Sequence, residues 1–388
     1  MRQNMDSTTV KTERREENRE SRIESRGREV ENGGSRMESG KAARIKSWDA
    51  FKWLAAFLVV AIHTSPLESI WPYGDFLLTR IAARLAVPFF FMLTGYFTVQ
   101  VKKTEKKLLL LYLGVTCLYL PVQIYKYMGG ETFTAGRILK DIFFDGTFYH
   151  LWYLPACMLG LALMTLFLKC GKENAVAISI LLYVIGLLGD SYFGLVRLSP
   201  VLSKVYDGMF TCFSYTRNGI FMAPLFLLLG RLFREQEKKG KQNKNKEKEL
   251  ILFLCSFVLM IQEALLLHNT DWQRHDSMYL FLPLCSYHLF VFLRCVNERA
   301  LPSERSGNRT DSLWLKGPMY IYFLHPLVII LVRGCTKVIK MPALVECSPL
   351  YYLCVCAGSF CATAFLCLLQ DMVKRKRKTV RTENTHEK

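Results

Sequence analysis

The feature that most constrains this chain is its alternation of long apolar blocks with short charged connections. Ten blocks lie near 49–66, 75–98, 106–128, 151–169, 174–191, 217–233, 249–268, 277–296, 313–335 and 348–370. A helix rising roughly 1.5 Å per residue needs about 17–25 residues to cross a hydrocarbon core of about 30 Å, and the blocks match that length. No water reaches the bilayer centre, so a spanning segment must satisfy its own backbone, which a helix does within one segment. The alternating pattern of a barrel strand is absent. The expected fold is an all-α integral membrane protein of about ten transmembrane helices.

A formal net charge of +18 would suit a nucleic-acid partner, but its placement points elsewhere. Lys102, Lys103, Lys106 and Lys107 crowd one connection, and Lys169 and Lys172 the next but one. A polybasic run from Arg231 to Lys248 follows, then Arg294, Arg299, Arg305 and Arg309, and finally KRKRK at 374–378. The intervening connections are poor in such residues, and 66–75 has none. Basic connections stay on the cytoplasmic side, so both termini are expected in the cytoplasm of a multi-pass plasma-membrane protein. No nucleic-acid motif accompanies the charge, and no nucleic-acid partner is expected beside the lipid bilayer.

Residues 1–45 are rich in Arg, Glu, Ser and Gly and are expected to form a disordered cytoplasmic tail. They hold no short apolar stretch before a small-residue cleavage site, so no cleaved signal peptide is expected. A basic cytoplasmic tail is expected over 373–388. Between the third and fourth blocks, Ile138, Leu139, Ile142 and Phe143 recur at helical spacing, as in a segment lying flat at the interface. The aromatic-rich 192–216 reads as a long outer loop. Most of the 13 cysteines lie within apolar blocks and no CxxC occurs, so no zinc or redox centre is expected. Cys212 and Cys347 fall on the same, outer side and are a possible pair.

Ionisable groups inside spans are costly and mark function. The first block, WDAFKWLAAFLVVAIHTSP, carries Asp49, Lys52 and His63. Lys52 and His63 are close to three turns apart, on one face and separated by roughly 16 Å. The second block places Arg80 and Arg84 one turn apart. Two guanidiniums at that depth need anionic partners, either Glu263 or Asp276 of the chain itself or a bound anion. Pro88 can kink this helix and open room, and Gly95 permits a neighbouring helix to approach closely. His150 and Trp152 open the fourth block, where Trp152 suits an aromatic belt. His325 lies inside the ninth block beside Pro326, where a helix-to-helix hydrogen bond is the plainer role. The spacing of His63, His150 and His325 sets no metal geometry, and no metal is expected. This polar face fits two tasks: acyl transfer with a His base and cations on an anionic donor and its oxyanion, or a substrate pathway in a carrier.

Asp49, Lys52 and His63 resemble the first-helix signature of the acyltransferase-3 family: an Asp, a basic residue three positions on, and a His after ten more. The second-helix arginines leading into PFFFMLTGY, with HLWYL at 150–154 and IYFLHP at 321–326, resemble further stretches of that family. The resemblance covers 48–370 and implies an acyltransferase-3-like membrane domain over 46–372. Within the family, AIHTSP, TRNGIFMAPLFLLLG and HDSMYLFLPL are most similar to the membrane half of VanT-type serine racemases. A pyridoxal-phosphate racemase domain is not expected here, so racemase activity is not carried over.

The resemblance implies an acyl-CoA donor, acetyl-CoA being the simplest, as co-substrate with no bound cofactor. It also implies an extracytoplasmic glycan, cell-wall or small-molecule acceptor offering a hydroxyl or amino group. His63 is then the expected base and Arg84 the expected oxyanion or donor clamp. Lys52, Arg80, Asp49, His150, Trp152, Glu263 and His325 are expected to bind or position substrate. The alternative is a VanT-like carrier for a small amino acid such as serine. The orientation has its own check: a reporter inserted in 235–247 should report the cytoplasm and one in 66–75 the outside. The opposite pattern would overturn the topology.

Overall fold

The computed structural model describes residues 45–130, 134–240, 245–296 and 309–386, with only the helical backbone of 309–312 and 374–386. The tail expected over 1–45 lies outside these residues save the last, as do Arg299 and Arg305. No strand occurs among the described residues. A helix occupies each of the ten apolar blocks: α1 Lys46–Thr64, α2 Pro72–Phe97, α3 Val101–Met128, α4 Tyr153–Leu168, α5 Lys172–Leu188, α6 Ala223–Lys238, α7 Lys246–Asn269, α8 Leu282–Val296, α9 Arg309–Val338 and α10 Ser348–His386.

Five of these, α2, α3, α7, α9 and α10, are long and apolar enough to cross a membrane. The 16 residues of α4 and the 15 of α8 are apolar but shorter. The first reaches only about 24 Å as a helix, and a turn over 146–152 precedes it. Apolar side chains such as Leu110, Leu113, Ile251, Val258, Leu353 and Phe365 are exposed on α3, α7 and α10. In water a surface of that kind would drive association. Against lipid tails it costs nothing, and this is a membrane protein.

The centre is α6, where Ala223, Pro224, Leu225, Phe226, Leu227, Leu228, Gly230 and Phe233 are all buried. It packs most extensively on α2 and also on α4. Glycine makes that possible. A Cβ on Gly95 would stand 1.9 Å from the Leu227 carbonyl oxygen, and one on Gly230 would stand 2.0 Å from that of Met92. The two helices therefore touch backbone to backbone through reciprocal glycines. In lipid, association rests on such van der Waals contact because apolar burial gives no net drive between helices. A second wall forms where α9 packs on α10 and α1, with Ala56, Val60, Ile321, Val328 and Tyr351 at its heart.

Helix α2 is irregular. After an α-helical first turn over Pro72–Asp75 it is π-helical over Phe76–Ile81, 3-10 over Ala82–Leu85 and α-helical again from Ala86. Pro88 lacks the N–H that would bond the Arg84 carbonyl, so the turn before it cannot close as an ordinary α turn. The distortion expected at Pro88 thus lies on its N-terminal side, around the two arginines, and π-turns of this kind cluster at functional sites.

Three expectations need adjustment. The stretch 192–216 is not one long loop but holds helices Phe193–Arg197 and Pro200–Cys212, whose Ser199 side chain caps the second by accepting from Leu202 N. Helix α10 does not end at its apolar block but runs on to His386, because Lys and Arg are good helix formers and suit a C-terminal turn. Cys212 and Cys347 are unpaired. The segment between α3 and α4 is helical as expected, over Ala135–Lys140 and Asp141–Asp145, with Leu139 and Phe143 exposed.

Gly95→Ala should lower the thermal midpoint in detergent, by an amount corresponding to about 1–3 kcal/mol for overpacking. Gly114→Ala, on the exposed side of α3 with open space around the added Cβ, should leave it unchanged or raise it. Equal midpoints for the two variants would contradict the backbone contact.

Candidate active site

A cavity of about 890 Å³ opens between the C-terminal end of α1, the broken turn of α2, the end of α3 and the connections before α4 and α6. Its lining includes His63, Arg84, His150, Trp152, Tyr153 and Arg217. Local chemistry shapes its walls. Gly146 takes φ +84, and a Cβ there would stand 2.4 Å from Trp152 N, so only glycine lets the chain fold back under the H-L-W-Y turn. In T-R-N, Thr216 and Asn218 are buried and anchor the chain. Thr216 donates to the Gly186 carbonyl at 2.8 Å, and Asn218 Oδ1 accepts from Ile220 N and Phe221 N at 2.9 and 3.2 Å. Arg217, between these anchors, lines the cavity.

Three imidazoles meet beside the cavity. His63 stacks on His325 with ring centroids 5.3 Å apart and 26° between planes, and His150 meets His325 edge-on at 5.4 Å. Helix geometry explains His325, whose Nδ1 lies 3.0 Å from the Ile321 carbonyl oxygen. Since a carbonyl only accepts, Nδ1 carries the proton and Nε2 is the free acceptor. That Nε2 is buried and without a hydrogen-bond partner, as are both ring nitrogens of His150. Tyr322 donates to the His150 carbonyl, and Tyr119 donates to the Phe323 carbonyl at 2.6 Å, tying α9 to α3 and to the H-L-W-Y turn. His63 is half-buried and packs against Tyr149 at 4.9 Å, and its ring makes no hydrogen bond with a described residue.

The arginines of α2 converge on one carboxylate. Arg84 Nη2 donates to Asp276 Oδ1 at 2.5 Å and Arg80 Nη1 to the same oxygen at 3.2 Å. Asp276 lies on the loop between α7 and α8, which is held by several polar contacts. Asp190 Oδ1 accepts from Ser277 N and Met278 N at 2.7 and 2.9 Å. Glu263 accepts from Leu280 N, Phe281 N and the Tyr192 hydroxyl. Tyr279 donates to the Arg80 carbonyl at 3.0 Å. Burial raises the Asp276 carboxyl, but Arg84 and Arg80 outweigh it and hold the group below its ordinary value. In the same loop, burial, with help from Arg274 and Arg217, pushes His275 down to about 4.

The structure therefore brings His63, His150, His325, Arg84 and Trp152 together. Arg80 shares the ion pair but lines a separate cavity of about 440 Å³. Glu263 stands apart, capping the loop before α8 rather than lining the cavity. Asp49 and Lys52 pair with each other at 2.5 Å near the opposite end of α1. Sequence reading passed over Arg217, although it lies in the quoted T-R-N-G stretch, because nothing local marks a lone basic residue at the start of an apolar block as lining a cavity. It also passed over Tyr322, whose hydroxyl partner is fixed only by folding.

Residues 45–368 match the family model described as an acyltransferase domain. An amino-acid racemase of Enterococcus faecalis is 36% identical over 352 residues, 87% of this chain and 48% of its own length. A serine/alanine racemase of Enterococcus gallinarum is 38% identical over 299 residues, 73% of this chain and 41% of its own length. The chain thus spans under half the length of these relatives. No solved structure matches it.

The ion pair gives a pH test. A carboxylate with a lowered folded value stabilises fully above its unfolded value of about 4 and loses that contribution as pH falls through the folded value. The thermal midpoint of the wild type should drop on acidification below about pH 4. Asp276→Asn should start lower at neutral pH, with a shallower acid limb. Parallel pH curves for the two proteins would show that Asp276 contributes nothing.

Proposed function

Because the chain belongs to the acyltransferase-3 family, we propose that it moves an acyl group, acetyl in the simplest case, from a CoA thioester to a hydroxyl or amino group of an acceptor outside the cytoplasm. The observation that carries this reading is His63. Its ring has no hydrogen bond to a described residue, lines a large cavity and faces the same space as Arg84. The ten helices are read as spans with both termini cytoplasmic, which sets the cavity toward the outer side of a cell membrane. Lys52 and Asp49 then lie near the cytoplasmic entrance, where a CoA donor arrives.

In this mechanism the acceptor oxygen or nitrogen attacks the thioester carbonyl while His63 takes its proton. Arg84 steadies the oxyanion of the tetrahedral intermediate, and Asp276 keeps Arg84 in place. The carbon–sulfur bond then breaks, CoA leaves as a thiolate, and the proton on His63 returns to that sulfur. His325 supports the base by stacking, with its own tautomer fixed by the Ile321 carbonyl. A positioned base of this kind contributes roughly 10²–10⁴-fold, and one oxyanion donor roughly 10²–10³-fold.

The names of the racemase relatives favour a second reading, a membrane carrier handling a small amino acid such as serine. In it the same cavity is a binding pocket on a pathway and no acyl group moves. One pair of variants separates the two. His63→Ala and His63→Gln should both abolish transfer of label from acetyl-CoA with insertion intact, since an amide hydrogen-bonds but cannot take a proton at neutral pH. A carrier should retain part of its serine uptake in His63→Gln. Near wild-type label transfer by His63→Gln would remove the general-base role.

A further inference from the structure

Arg217 is a cavity-lining cation that feels Asp190 and Asp276 through space but has no described carboxylate within salt-bridge distance. Its Nη1 donates to Ser277 Oγ at 2.8 Å, a neutral acceptor, and its Nε is buried without a partner. One face of the guanidinium is covered by Tyr215 at 4.1 Å, and the Trp152 ring stands 5.5 Å away. Among the other cations of the lining, Arg84 pairs with Asp276 through Nη2, and Lys140 donates to the Phe210 carbonyl at 3.1 Å. Asp190 directs one oxygen at the Ser277 and Met278 amides, and its other oxygen has no partner, Arg217 included.

A guanidinium offers two paired edges, Nε–Nη2 and Nη1–Nη2, and either can grip a carboxylate or phosphate in a two-pronged fork. In Arg217 the Nε–Nη2 edge is unused while the remaining nitrogen is tied down. The residue is also held in place, because Thr216 and Asn218 on either side are buried and hydrogen-bonded. A fixed, desolvated cation costs folding energy unless an anion completes it, and a fixed one wastes little entropy on binding. We propose that Arg217 is the seat of an oxyanion, a carboxylate or a phosphate, carried by the small molecule that occupies this cavity. Under the acyl-transfer reading that molecule is the acceptor; the inference depends on that reading only for this word. The aromatic wall of Tyr215 and Trp152 then packs on the body of the ligand.

The test measures binding without any thioester. Purified full-length protein in detergent is titrated with sodium acetate, or with inorganic phosphate, against sodium chloride at matched ionic strength, and the thermal midpoint is followed. The wild type should show a saturable rise with at least one of the two anions. The more effective anion identifies the headgroup as carboxylate or phosphate. Arg217→Lys keeps a charge but lacks the fork and should bind roughly 10–100-fold more weakly. Arg217→Gln should not bind, and Arg197→Gln, away from the cavity, should match the wild type. No saturable response in the wild type, or equal affinity in Arg217→Lys, overturns the proposal, and neither result depends on how well Arg217→Gln folds. Anion binding without acyl transfer from acetyl-CoA would sustain this proposal and defeat the enzyme reading instead.

Discussion

The contact between Asp276 and the two arginines of α2 is the interaction on which the rest of this site depends. Arg84 lies within a bundle whose surroundings are hydrocarbon and packed side chains, where an unpaired guanidinium would be strongly unfavourable. Asp276 neutralises it at 2.5 Å, but only because a loop between two helices is held against α2. That loop is held in turn by Asp190, by Glu263 and by Tyr279, whose hydroxyl meets the carbonyl of Arg80 itself. Remove the carboxylate and the loop keeps those backbone ties, but Arg84 and Arg80 lose the oxygen they share.

The irregular course of α2 follows from the same economy. A regular helix would set Arg80 and Arg84 on one face, one turn apart. The π-helical and 3-10 turns before Pro88 divide them, so that Arg84 lines the large cavity and Arg80 lines the smaller one, with a single oxygen of Asp276 between. Below the break the helix recovers and meets α6 through Gly95 and Gly230. A rigid, glycine-lined contact beneath a broken turn holds the guanidinium of Arg84 at a fixed place in the cavity wall.

The histidines show a different solution to burial. None of the three has a carboxylate partner, and one carbonyl fixes the tautomer of His325. Stacking and edge-on contacts hold the rings, and the only one whose nitrogens are neither bonded nor fully enclosed is His63. An acyltransferase domain and an amino-acid carrier would both use such a ring, the first as a base and the second as a hydrogen-bonding surface, so the protonation chemistry rather than the geometry divides them.

Apolar periodicity was sufficient to locate the main helices, though not the two short ones over Phe193–Arg197 and Pro200–Cys212. Apolar length is a local property, and each of the ten blocks overlaps a helix, five of them long and apolar enough to cross a membrane. The family motifs likewise singled out His63, Arg84, His150, Trp152 and His325, which converge as a group. What the sequence left open was partnership. Glu263 and Asp276 were equal candidates for the arginines, since both are acids at the margins of spans. Only the fold of the 270–281 loop turns Glu263 to backbone amides and Asp276 to Arg84. Arg217 was invisible for the same reason: nothing local shows that a lone cation at the start of an apolar block is flanked by buried, hydrogen-bonded neighbours. Local pattern determines which long segments are apolar helices and where each residue falls along them. Which charges meet depends on contacts between residues up to 196 positions apart, and no local pattern carries that information.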